Sequence, residues 1–392
     1  MYDVIVCGAG PAGSVAATVL ARGGARVLLL DRARFPRDKL CGDTINPGTV
    51  AMLRRLGLTA EIESLALPVD GMIVTGERGV RVQAAYAKGA RGMAILRRNL
   101  DAALVRGAAT AGVRVEEGVL VRGPLMQSDT RVRGVVIAGR DGRDLRVPAP
   151  LVIAADGRRS RLAFPLGLAR QPCRPRRWAI GAYFAGAAGV TSFGEMHVRR
   201  GWYLGVAPVP SGSANVCLVI PRPSTGLGGG PSARLEAGPA PLDEQSALLR
   251  QAIDGDPDLR ERFADARMVT TPVVLGPLAV DVAAPGMPGL LLAGDAAGFI
   301  DPMTGDGLRF AVRGAELAAE VALAAFGGRL ALPHVRLERL RKREFTAKWR
   351  FNRTLRRLVG RGLTVELAGL VGAAAPWLLR RTISFAGDVS AR

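Results

Sequence analysis

The feature that most constrains the fold is a glycine-rich turn close to the start of the chain. YDVIVC, residues 2–7, is a nearly continuous apolar run, which is typical of a buried parallel strand. GAGPAG follows at once, and the small-residue run SVAATVLARGG after it predicts a helix that ends at glycine. A second apolar run, ARVLLLD, ends on Asp31. Strand, turn, helix, strand and terminal acid together form a dinucleotide-binding fingerprint.

Each residue of this fingerprint has a physical task. Gly8 permits the tight turn, Gly10 lets the backbone approach a pyrophosphate, and Gly13 lets the helix pack closely on the strand. The helix N-terminus offers free N–H groups, and Asp31 can accept hydrogen bonds from ribose hydroxyls. The fingerprint alone does not distinguish FAD from NAD. An NAD dehydrogenase is expected to add more strand–helix repeats and a catalytic His or Lys, and this chain has only 2 His and 4 Lys.

Two more strand ends carry glycine and acid. LVIAADG ends in Asp156-Gly157, and LLLAGDAAG passes through Gly294-Asp295. Because the carboxyl ends of parallel strands meet at one edge of a sheet, we expect the three turns to form one ligand site. Asp295 can bind a polyol such as the ribityl chain of a flavin.

The stretch after Asp295 runs through a proline turn into an amphipathic pattern that predicts a long helix from near Gly307. Gly305 and Gly307 would let the backbone approach a flat ring without an intervening Cβ. The N-terminus of the helix would stabilise the negative charge of a reduced flavin. Asp301 and Asp306 are expected to cap the turn and the helix.

Length and composition limit the other function classes. A chain of 392 residues that is 48% hydrophobic predicts two domains with a shared interface, or one core with an insertion. The four cysteines form no C-x-x-C pair, which argues against a disulfide framework or a zinc site and favours a reducing compartment. With only His197 and His334, a histidine-based metal site is not expected. No signal peptide is recognised at the N-terminus, so we expect a cytoplasmic protein.

The motifs together resemble a known family. The order GAGPAG with Asp31, Arg97 with Leu100-Asp101, ADG, and GDAAGFIDPMTGDG resembles FAD-dependent oxidoreductases of the p-hydroxybenzoate hydroxylase fold. Within that group, FPRDKLCGDTINPGTVAMLRRLGL, residues 35–58, resembles the geranylgeranyl reductase family. The resemblance is strong over about half the chain, in residues 1–60, 90–165 and 285–325, and weak over 165–285.

The resemblance implies a set of cofactor contacts. The implied FAD-binding residues are Gly8, Gly10, Ala12, Gly13, Asp31, Arg32, Arg97, Asp156, Gly157, Asp295, Gly305 and Gly307. Arg97 would contact the FAD phosphate or ribityl chain. Asp156-Gly157 matches a motif that the family shares between FAD and incoming NAD(P)H, so NAD(P)H or another electron donor would be the reductant. A dedicated NAD(P)H domain is not expected, because no second G-x-G-x-x-G is present.

The expected fold class is α/β (α+β), a Rossmann-like FAD-binding domain with a second, antiparallel-sheet substrate domain and a C-terminal helical segment. Alternating and apolar runs such as AIGAYFAG and SANVCLVIP predict the antiparallel sheet. TGLGGGPSARLEAGPAP, residues 225–241, predicts a surface loop. We assign residues 1–70, 92–165 and 275–330 to the FAD-binding domain, 71–91 and 166–274 to the substrate domain, and 331–392 to the basic helical region.

Catalytic and substrate residues follow from the same resemblance. Cys41, in the loop KLCGD, is either an ordinary turn residue or a thiol beside the flavin that gives a proton to substrate carbon. RGWYLGVAP, residues 200–208, is the best match to the family's substrate motif P-x-x-Y-x-W-x-F-P, with Gly205 and Ala207 in place of Trp and Phe. This departure implies a wider or differently shaped substrate space. Trp202, Tyr203 and Gly205 are the expected substrate contacts, with Tyr203 the second candidate acid; ordinary sheet packing is the alternative for the two aromatic residues.

We therefore expect an FAD-dependent reductase that transfers hydride to C=C bonds of a hydrophobic, prenyl-type lipid or quinone side chain. The alternatives are an FAD-dependent monooxygenase that hydroxylates a secondary metabolite, and a flavin-bearing module without turnover. A halogenase is not expected, because the W-x-W segment of such enzymes is missing.

The C-terminal part of the chain is strongly basic. The net charge is +20, and residues 336–381 contribute +10 of it, with 13 basic and 3 acidic residues. Apolar residues such as Leu337, Phe345 and Trp349 recur at helical spacing, with arginines on the other faces. Two interpretations stay open, a helix packed on the FAD-binding domain with a solvated basic face, and a peripheral contact with an anionic membrane. Nucleic-acid binding is not expected, because no aromatic platform interleaves with the arginines.

Overall fold

The chain is described here from a computed structural model. The structure describes residues 1–76, 79–139, 141–173, 177–210, 212–221, 242–328, 330–359 and 376–388. The predicted glycine- and proline-rich loop at 225–241 lies outside the described residues.

Within those ranges the chain alternates helices and strands. The α-helices are α1 (Pro11–Arg22), α2 (Pro47–Arg55), α3 (Ala60–Ser64), α4 (Arg97–Thr110), α5 (Leu242–Asp254), α6 (Gly307–Phe326), α7 (Pro333–Val359) and α8 (Pro376–Ala386). Short 3₁₀ helices span Ala87–Gly89, Gly294–Ala297 and Pro302–Thr304. The strands are β1 (Val4–Cys7), β2 (Val27–Asp31), β3 (Thr44–Ile45), β4 (Leu67–Val69), β5 (Gly71–Thr75), β6 (Arg81–Ala85), β7 (Gly92–Ala94), β8 (Arg114–Glu117), β9 (Val121–Ser128), β10 (Arg131–Ala138), β11 (Asp144–Pro148), β12 (Leu151–Ala154), β13 (Ala169–Arg170), β14 (Arg177–Ala185), β15 (Phe193–Arg199), β16 (Trp202–Val209), β17 (Ser213–Pro221), β18 (Arg267–Met268), β19 (Val273–Leu275), β20 (Asp281–Val282), β21 (Gly286–Met287) and β22 (Leu290–Leu292).

A six-stranded sheet with the order β21-β22-β12-β1-β2-β8 forms the centre of the molecule. All its pairs are parallel except the edge pair β21–β22. Its strands are apolar throughout because both faces are covered: Val4 and Val6 pack among α1, α4 and α6, while Ile5 and Cys7 pack toward β9 and β10. The predicted parallel-sheet core is confirmed.

The three glycine–acid turns follow β1, β12 and β22, which are direct neighbours in this sheet. Their carboxyl ends therefore share one edge, as the sequence predicts. Helix α6 leaves the third turn and packs along α1. Helix α7 packs on α6 through the buried side chains of Leu337 and Phe345, so the basic segment is joined to the core of the molecule.

A second, eight-stranded sheet has the order β18-β14-β17-β16-β15-β5-β6, with β19 also paired to β14. It is antiparallel except for the pair β15–β5. One face packs against α5, and the other faces the turns of the central sheet. The expected α/β class with an antiparallel second sheet is confirmed, whereas the residue boundaries of the three predicted parts stay a proposal. None of the described helices combines the length and apolarity that crossing a bilayer requires.

Candidate functional site

One large cavity of about 1550 Å³ lies between the carboxyl edge of the central sheet and the inner face of the eight-stranded sheet. Residues of α7 and α8 close one side of it. Fourteen of the residues singled out in the sequence line this cavity: Gly8, Gly10, Ala12, Asp31, Arg32, Cys41, Arg97, Asp156, Gly157, Tyr203, Gly205, Asp295, Gly305 and Gly307. Gly13 and Trp202 do not line it.

The first turn is shaped by two glycines that have no room for a side chain. Gly8 has φ +97°, and a Cβ there would lie 2.4 Å from the carbonyl oxygen of Ala155. A Cβ on Gly13 would lie 1.7 Å from the carbonyl oxygen of Gly8. Gly13 therefore acts from beneath the turn, where it lets α1 approach β1.

Asp31 holds the same turn from the end of β2. Its two carboxylate oxygens accept hydrogen bonds from the backbone N–H groups of Ala9 (2.7 Å) and Ala33 (2.8 Å). The side chain is buried yet borders the cavity, so its remaining lone pairs are available to a hydroxyl group there.

Arg97 begins α4 and is buried beside the cavity. Its guanidinium donates to both oxygens of Asp101, at 3.0 and 3.1 Å. Burial disfavours the cation, but Asp101 and Cys41 beside it raise the pKa of Arg97. Arg37 lies 3.4 Å from the same Asp101 carboxylate and also lines the cavity. The sequence analysis did not single out Arg37, although it stands in the basic run FPRDK.

The second turn presents Asp156 and Gly157. One carboxylate oxygen of Asp156 accepts from the backbone N–H of Arg161 (2.7 Å), and burial raises the pKa of this carboxyl. Gly157 has φ +83°, and nothing lies within 4 Å of a Cβ built there. Arg158 and Arg159 donate to the carbonyl oxygens of Pro277 and Gly276, which fixes the turn against the neighbouring loop.

The third turn divides its two unassigned acids between different tasks. Asp301 caps the 3₁₀ helix Pro302–Thr304 by accepting from the backbone N–H of Met303 (3.1 Å), as predicted. Asp306 does not cap α6 with its side chain. It forms a buried ion pair with Lys348 of α7 (3.0 Å) and accepts a hydrogen bond from Asn46, so its carboxylate is engaged by other parts of the chain. The prediction of a capping role for Asp306 was wrong.

The described residues at this edge fit a dinucleotide such as FAD. Arg37 Nε and Asp156 Oδ1 are buried polar atoms that have no hydrogen-bond partner in the described part of the chain. Open space surrounds Gly157 and Gly305, where a bound ring or phosphate would otherwise meet a side chain. Unpaired donors and acceptors beside a cavity are the groups that a ligand with phosphates and hydroxyls satisfies.

Cys41 lies half-buried at the cavity, on a loop that rests on the eight-stranded sheet. Its carbonyl oxygen accepts from Asn215 Nδ2 (2.7 Å). Cys217, two residues further along β17, lines the same cavity, and burial raises its pKa to about 12. The wide separation of the cysteines in sequence gave no sign of this proximity.

Tyr203 extends from β16 into a buried polar group. Its hydroxyl donates to Asp301 (2.6 Å), and Arg177 donates to the other oxygen of that carboxylate (3.1 Å). Burial and the neighbouring carboxylate raise the pKa of Tyr203 well above its ordinary value. The hydroxyl is therefore committed to Asp301, which makes it a weak proton donor.

Trp202 lies on the opposite face of the same strand. It packs among the side chains that cover α5, because neighbouring residues of a strand point to opposite faces. The structure thus corrects the prediction that Trp202 contacts the substrate. A Cβ on Gly205 would lie 3.8 Å from the nearest atom, so the wall has free space at the position of the family's Trp.

The rest of the cavity is mostly apolar. Its lining includes Met72, Val74, Met196, Val198 and Val219 from the sheet and Phe351, Leu355 and Ile383 from α7 and α8. A chain-like hydrophobic ligand would therefore meet mostly aliphatic and aromatic side chains along this part of the lining.

One cluster of potential metal ligands lies outside the cavity. His197, Asp256 and Asp258 bring their ligand atoms within 4.8 Å of one another. Arg199 donates to both carboxylates, at 2.9 and 2.8 Å, so a guanidinium already occupies the position beside them. This arrangement is a buried ion-pair network.

Comparison with known proteins assigns the chain to a family. The family model described as FAD binding domain matches residues 1–225. A menaquinone reductase of Mycolicibacterium smegmatis is 31% identical over 81% of this chain and 76% of its own length. Digeranylgeranylglycerophospholipid reductase 2 of Methanopyrus kandleri is 31% identical over 83% of this chain and 77% of its own length. Conditioned medium factor receptor 1 of Dictyostelium discoideum is 28% identical over 86% of this chain, which spans 66% of that relative, just under two thirds.

The fold is also similar to solved structures. A myxobacterial chondrochloren halogenase, described as a variant of FAD-dependent halogenases, is 25% identical with a TM-score of 0.79. The match covers 90% of this chain and 81% of the halogenase.

Proposed function

The chain belongs to the FAD binding domain family and, within it, to the geranylgeranyl reductase family of FAD-dependent oxidoreductases, and from this premise we propose that it reduces C=C bonds of a hydrophobic, prenyl-type substrate. The observation that carries this proposal is the single cavity that joins the glycine turns to a long apolar wall. When bound, reduced FAD supplies a hydride to one carbon of the double bond.

The cavity supports the substrate class. The cavity of about 1550 Å³ includes the proposed cofactor site and continues along the sheet, where its lining is mostly apolar, as in pockets for hydrophobic ligands. The relatives named above carry quinone and lipid substrates in their names, which agrees with a chain-like prenyl ligand. Gly205 and Ala207 leave room along the wall that bulky aromatic residues would fill.

The residues of the turns would hold the cofactor. Gly8, Gly10 and the start of α1 would bind the pyrophosphate, and Asp31 the adenosine ribose. Asp295 would bind the ribityl chain, and Gly305 with Gly307 would border the ring. NAD(P)H or another donor is the proposed reductant.

Cys41 is the proposed proton donor. Its loop borders the cavity between the turns and the sheet, and its thiol can release a proton to the second carbon of the double bond. Tyr203 is the weaker candidate, because its hydroxyl already donates to Asp301.

Helix α7 supports a peripheral membrane contact. Arg336, Arg339, Arg343, Arg350 and Arg353 are exposed at helical spacing and form what we call the arginine face. The same helix contributes Phe351 and Leu355 to the cavity. We propose that the arginine face binds anionic lipid and brings the cavity close to a membrane-dissolved substrate.

Flavin reoxidation without oxygen tests the reductase. The protein is reduced under nitrogen and mixed with a menaquinone that has an unsaturated side chain, or with one whose side chain is fully saturated. We expect product with a more saturated side chain only from the first compound. Equal reoxidation by both, with the side chain unchanged, would mean that the quinone head takes the electrons and would overturn the proposal. An unsaturated prenyl phospholipid provides an independent test, because it has no quinone head that could accept the electrons.

A further inference from the structure

Asp43 is an acidic group that the proposed chemistry does not yet use. It stands two residues after Cys41 and is only 1% exposed. Its backbone has φ 52°, a left-handed conformation that Asp and Asn tolerate better than most residues. This conformation turns the carboxylate inward, onto the eight-stranded sheet.

Neutral groups satisfy the buried carboxylate. Oδ2 accepts from the Tyr183 hydroxyl (2.5 Å) and from Asn215 Nδ2, and Oδ1 accepts from the backbone N–H of Arg97 (3.1 Å). The guanidinium of Arg97 is itself bound to Asp101. Asp43 is thus hydrogen-bonded but has no cationic side chain bonded to it in the described part of the chain.

The fold couples this carboxylate to Cys41. Tyr183 of β14 and Asn215 of β17 are direct cross-strand partners, so their side chains stand together on the cavity face of the sheet. Asn215 Nδ2 donates both to Asp43 and to the carbonyl oxygen of Cys41. One amide therefore fixes the acid and the turn that carries the thiol.

We propose that Asp43 is a positioning residue for Cys41: through Asn215 it fixes the turn that carries the thiol, and the charge on its carboxylate controls the reactivity of that thiol. A carboxylate close to the thiol opposes a second negative charge there, whereas a neutral carboxyl does not. Tyr183, which donates to this carboxylate, is itself partly exposed to solvent. The inference rests on the proposed function only for the use that the reaction makes of Cys41.

The surroundings of Asp43 raise the pKa of its carboxyl group, so that it titrates not far below neutral pH. Burial raises the pKa of Asp43 to about 6, against hydrogen bonds from Tyr183 and Asn215 that lower it. The other charged or titratable groups near it are Arg97 from α4, which also interacts with the Cys41 side chain, and Cys217 from β17, which is influenced by both Asp43 and Cys41. The negative charge of the exposed Asp38 contributes to raising the pKa of Tyr183.

Thiol alkylation measures the coupling without substrate or turnover. The FAD-loaded protein is treated with iodoacetamide over a range of pH, and alkylation of each cysteine is followed by peptide mass spectrometry. In the wild type, the rise of the Cys41 rate with pH should flatten near pH 6, where Asp43 ionises. Asp43→Asn should remove this step and alkylate Cys41 roughly tenfold faster at neutral pH. Exposed Cys173 is the internal standard and should react equally in all variants.

Two tyrosine variants distinguish a specific coupling between Asp43 and Cys41 from a general loss of packing around the cavity. Tyr183→Phe removes a hydrogen bond that lowers the pKa of Asp43, so the step should move to higher pH. Tyr86→Phe changes a buried tyrosine at the same cavity and should leave the step in place. A Cys41 profile that is identical in wild type and Asp43→Asn would overturn the inference. Failure to reduce prenyl C=C bonds would instead overturn the proposed function and leave this result standing.

Discussion

The two sides of the cavity differ in composition: backbone atoms form most of one side, and side chains form most of the other. The cofactor side, which we call the cradle, consists of the backbone turns at Gly8, Asp156 and Gly294, at the ends of three adjacent parallel strands. The opposite side, which we call the sheet wall, consists of side chains of Tyr203, Asn215 and their neighbours on β14, β16 and β17. The shape of the cradle requires glycines, because a Cβ would not fit at some of its positions. The properties of the wall are set by the side chains that contact one another across neighbouring strands.

This difference decides how each side responds to change. A side chain added at Gly8 or Gly13 would collide with backbone atoms, which cannot move without disturbing the sheet edge. A changed side chain in the wall alters charge, shape or hydrogen bonding while the strands stay paired. The predictions below use this contrast, from the largest expected effect to the smallest.

Gly13→Ala should abolish FAD binding. The new Cβ would lie 1.7 Å from the carbonyl oxygen of Gly8, so α1 cannot keep its place on β1. The ratio of flavin to protein absorbance in the purified variant measures the loss. Gly42→Ala is the matched control, because a Cβ there has no atom within 4 Å, and it should keep its flavin. Yellow Gly13→Ala protein with normal FAD content would break the contrast between cradle and wall.

Asp301→Ala should cost about 3–5 kcal/mol of unfolding free energy, because it leaves the buried cation of Arg177 without its partner. Denaturant unfolding of the wild type and the variant gives the difference. Glu63→Gln breaks the exposed pair with Arg54 and should cost only about 0–1 kcal/mol. Equal losses in the two variants would contradict a stabilising role for the buried pair of Asp301 and Arg177.

Asp43→Asn should change how stability depends on pH. The folded-state pKa of Asp43, about 6, lies above its ordinary value of 3.8. Its contribution to folding is therefore full below the ordinary value and is lost as the pH rises through the folded value. Over that range the wild type should lose about 3 kcal/mol of unfolding free energy relative to Asp43→Asn. Unfolding free energies that run parallel with pH would contradict the raised pKa.

Gly205→Trp should narrow the wall without disturbing the cradle. Its Cβ has room, so the indole would enter the cavity. We expect the ratio of kcat/KM for long over short prenyl substrates to fall roughly tenfold, with FAD content unchanged. Gly123→Trp on β9, where a Cβ also has open space, should leave the ratio unaltered. An unchanged ratio in Gly205→Trp would contradict the proposal that the substrate binds along this part of the sheet wall.

Arg343→Gln should weaken binding to anionic vesicles by about fivefold, since each arginine near a membrane surface contributes about 1 kcal/mol. Co-sedimentation with vesicles that contain phosphatidylserine measures the change, and neutral vesicles should bind neither protein. Arg143→Gln removes an arginine whose side chain is 87% exposed and which lies outside the arginine face, so it should bind as the wild type does. Equal weakening by both would point to net charge rather than to α7.

The cradle could be predicted from sequence and the wall could not, for a physical reason. Gly8, Gly13 and Asp31 act within one strand–helix–strand unit, where spacing along the chain fixes spacing in space. Tyr183 and Asn215 meet only because β14 pairs with β17, and a one-residue change of register would separate them. Trp202 and Tyr203 could not both face the cavity, yet the sequence did not say which one does.

The acids of the third turn show the same limit. Asp301 caps its own 3₁₀ helix, a local task that a sequence pattern can indicate. Its bonds to Tyr203 and Arg177, and the pairing of Asp306 with Lys348, join residues far apart in the chain. Fold class and cofactor edge therefore followed from local pattern, whereas the polar groups of the cavity required the tertiary structure.

A single-turnover experiment tests the central claim most directly. The protein with fully reduced FAD is mixed under nitrogen with one equivalent of an unsaturated prenyl phospholipid, and the mass of the lipid is determined when the flavin has reoxidised. The reductase account predicts a lipid that has gained two hydrogens, in an amount equal to the bound FAD. A lipid unchanged under nitrogen, which gains one oxygen when air is admitted, would contradict it and identify a monooxygenase.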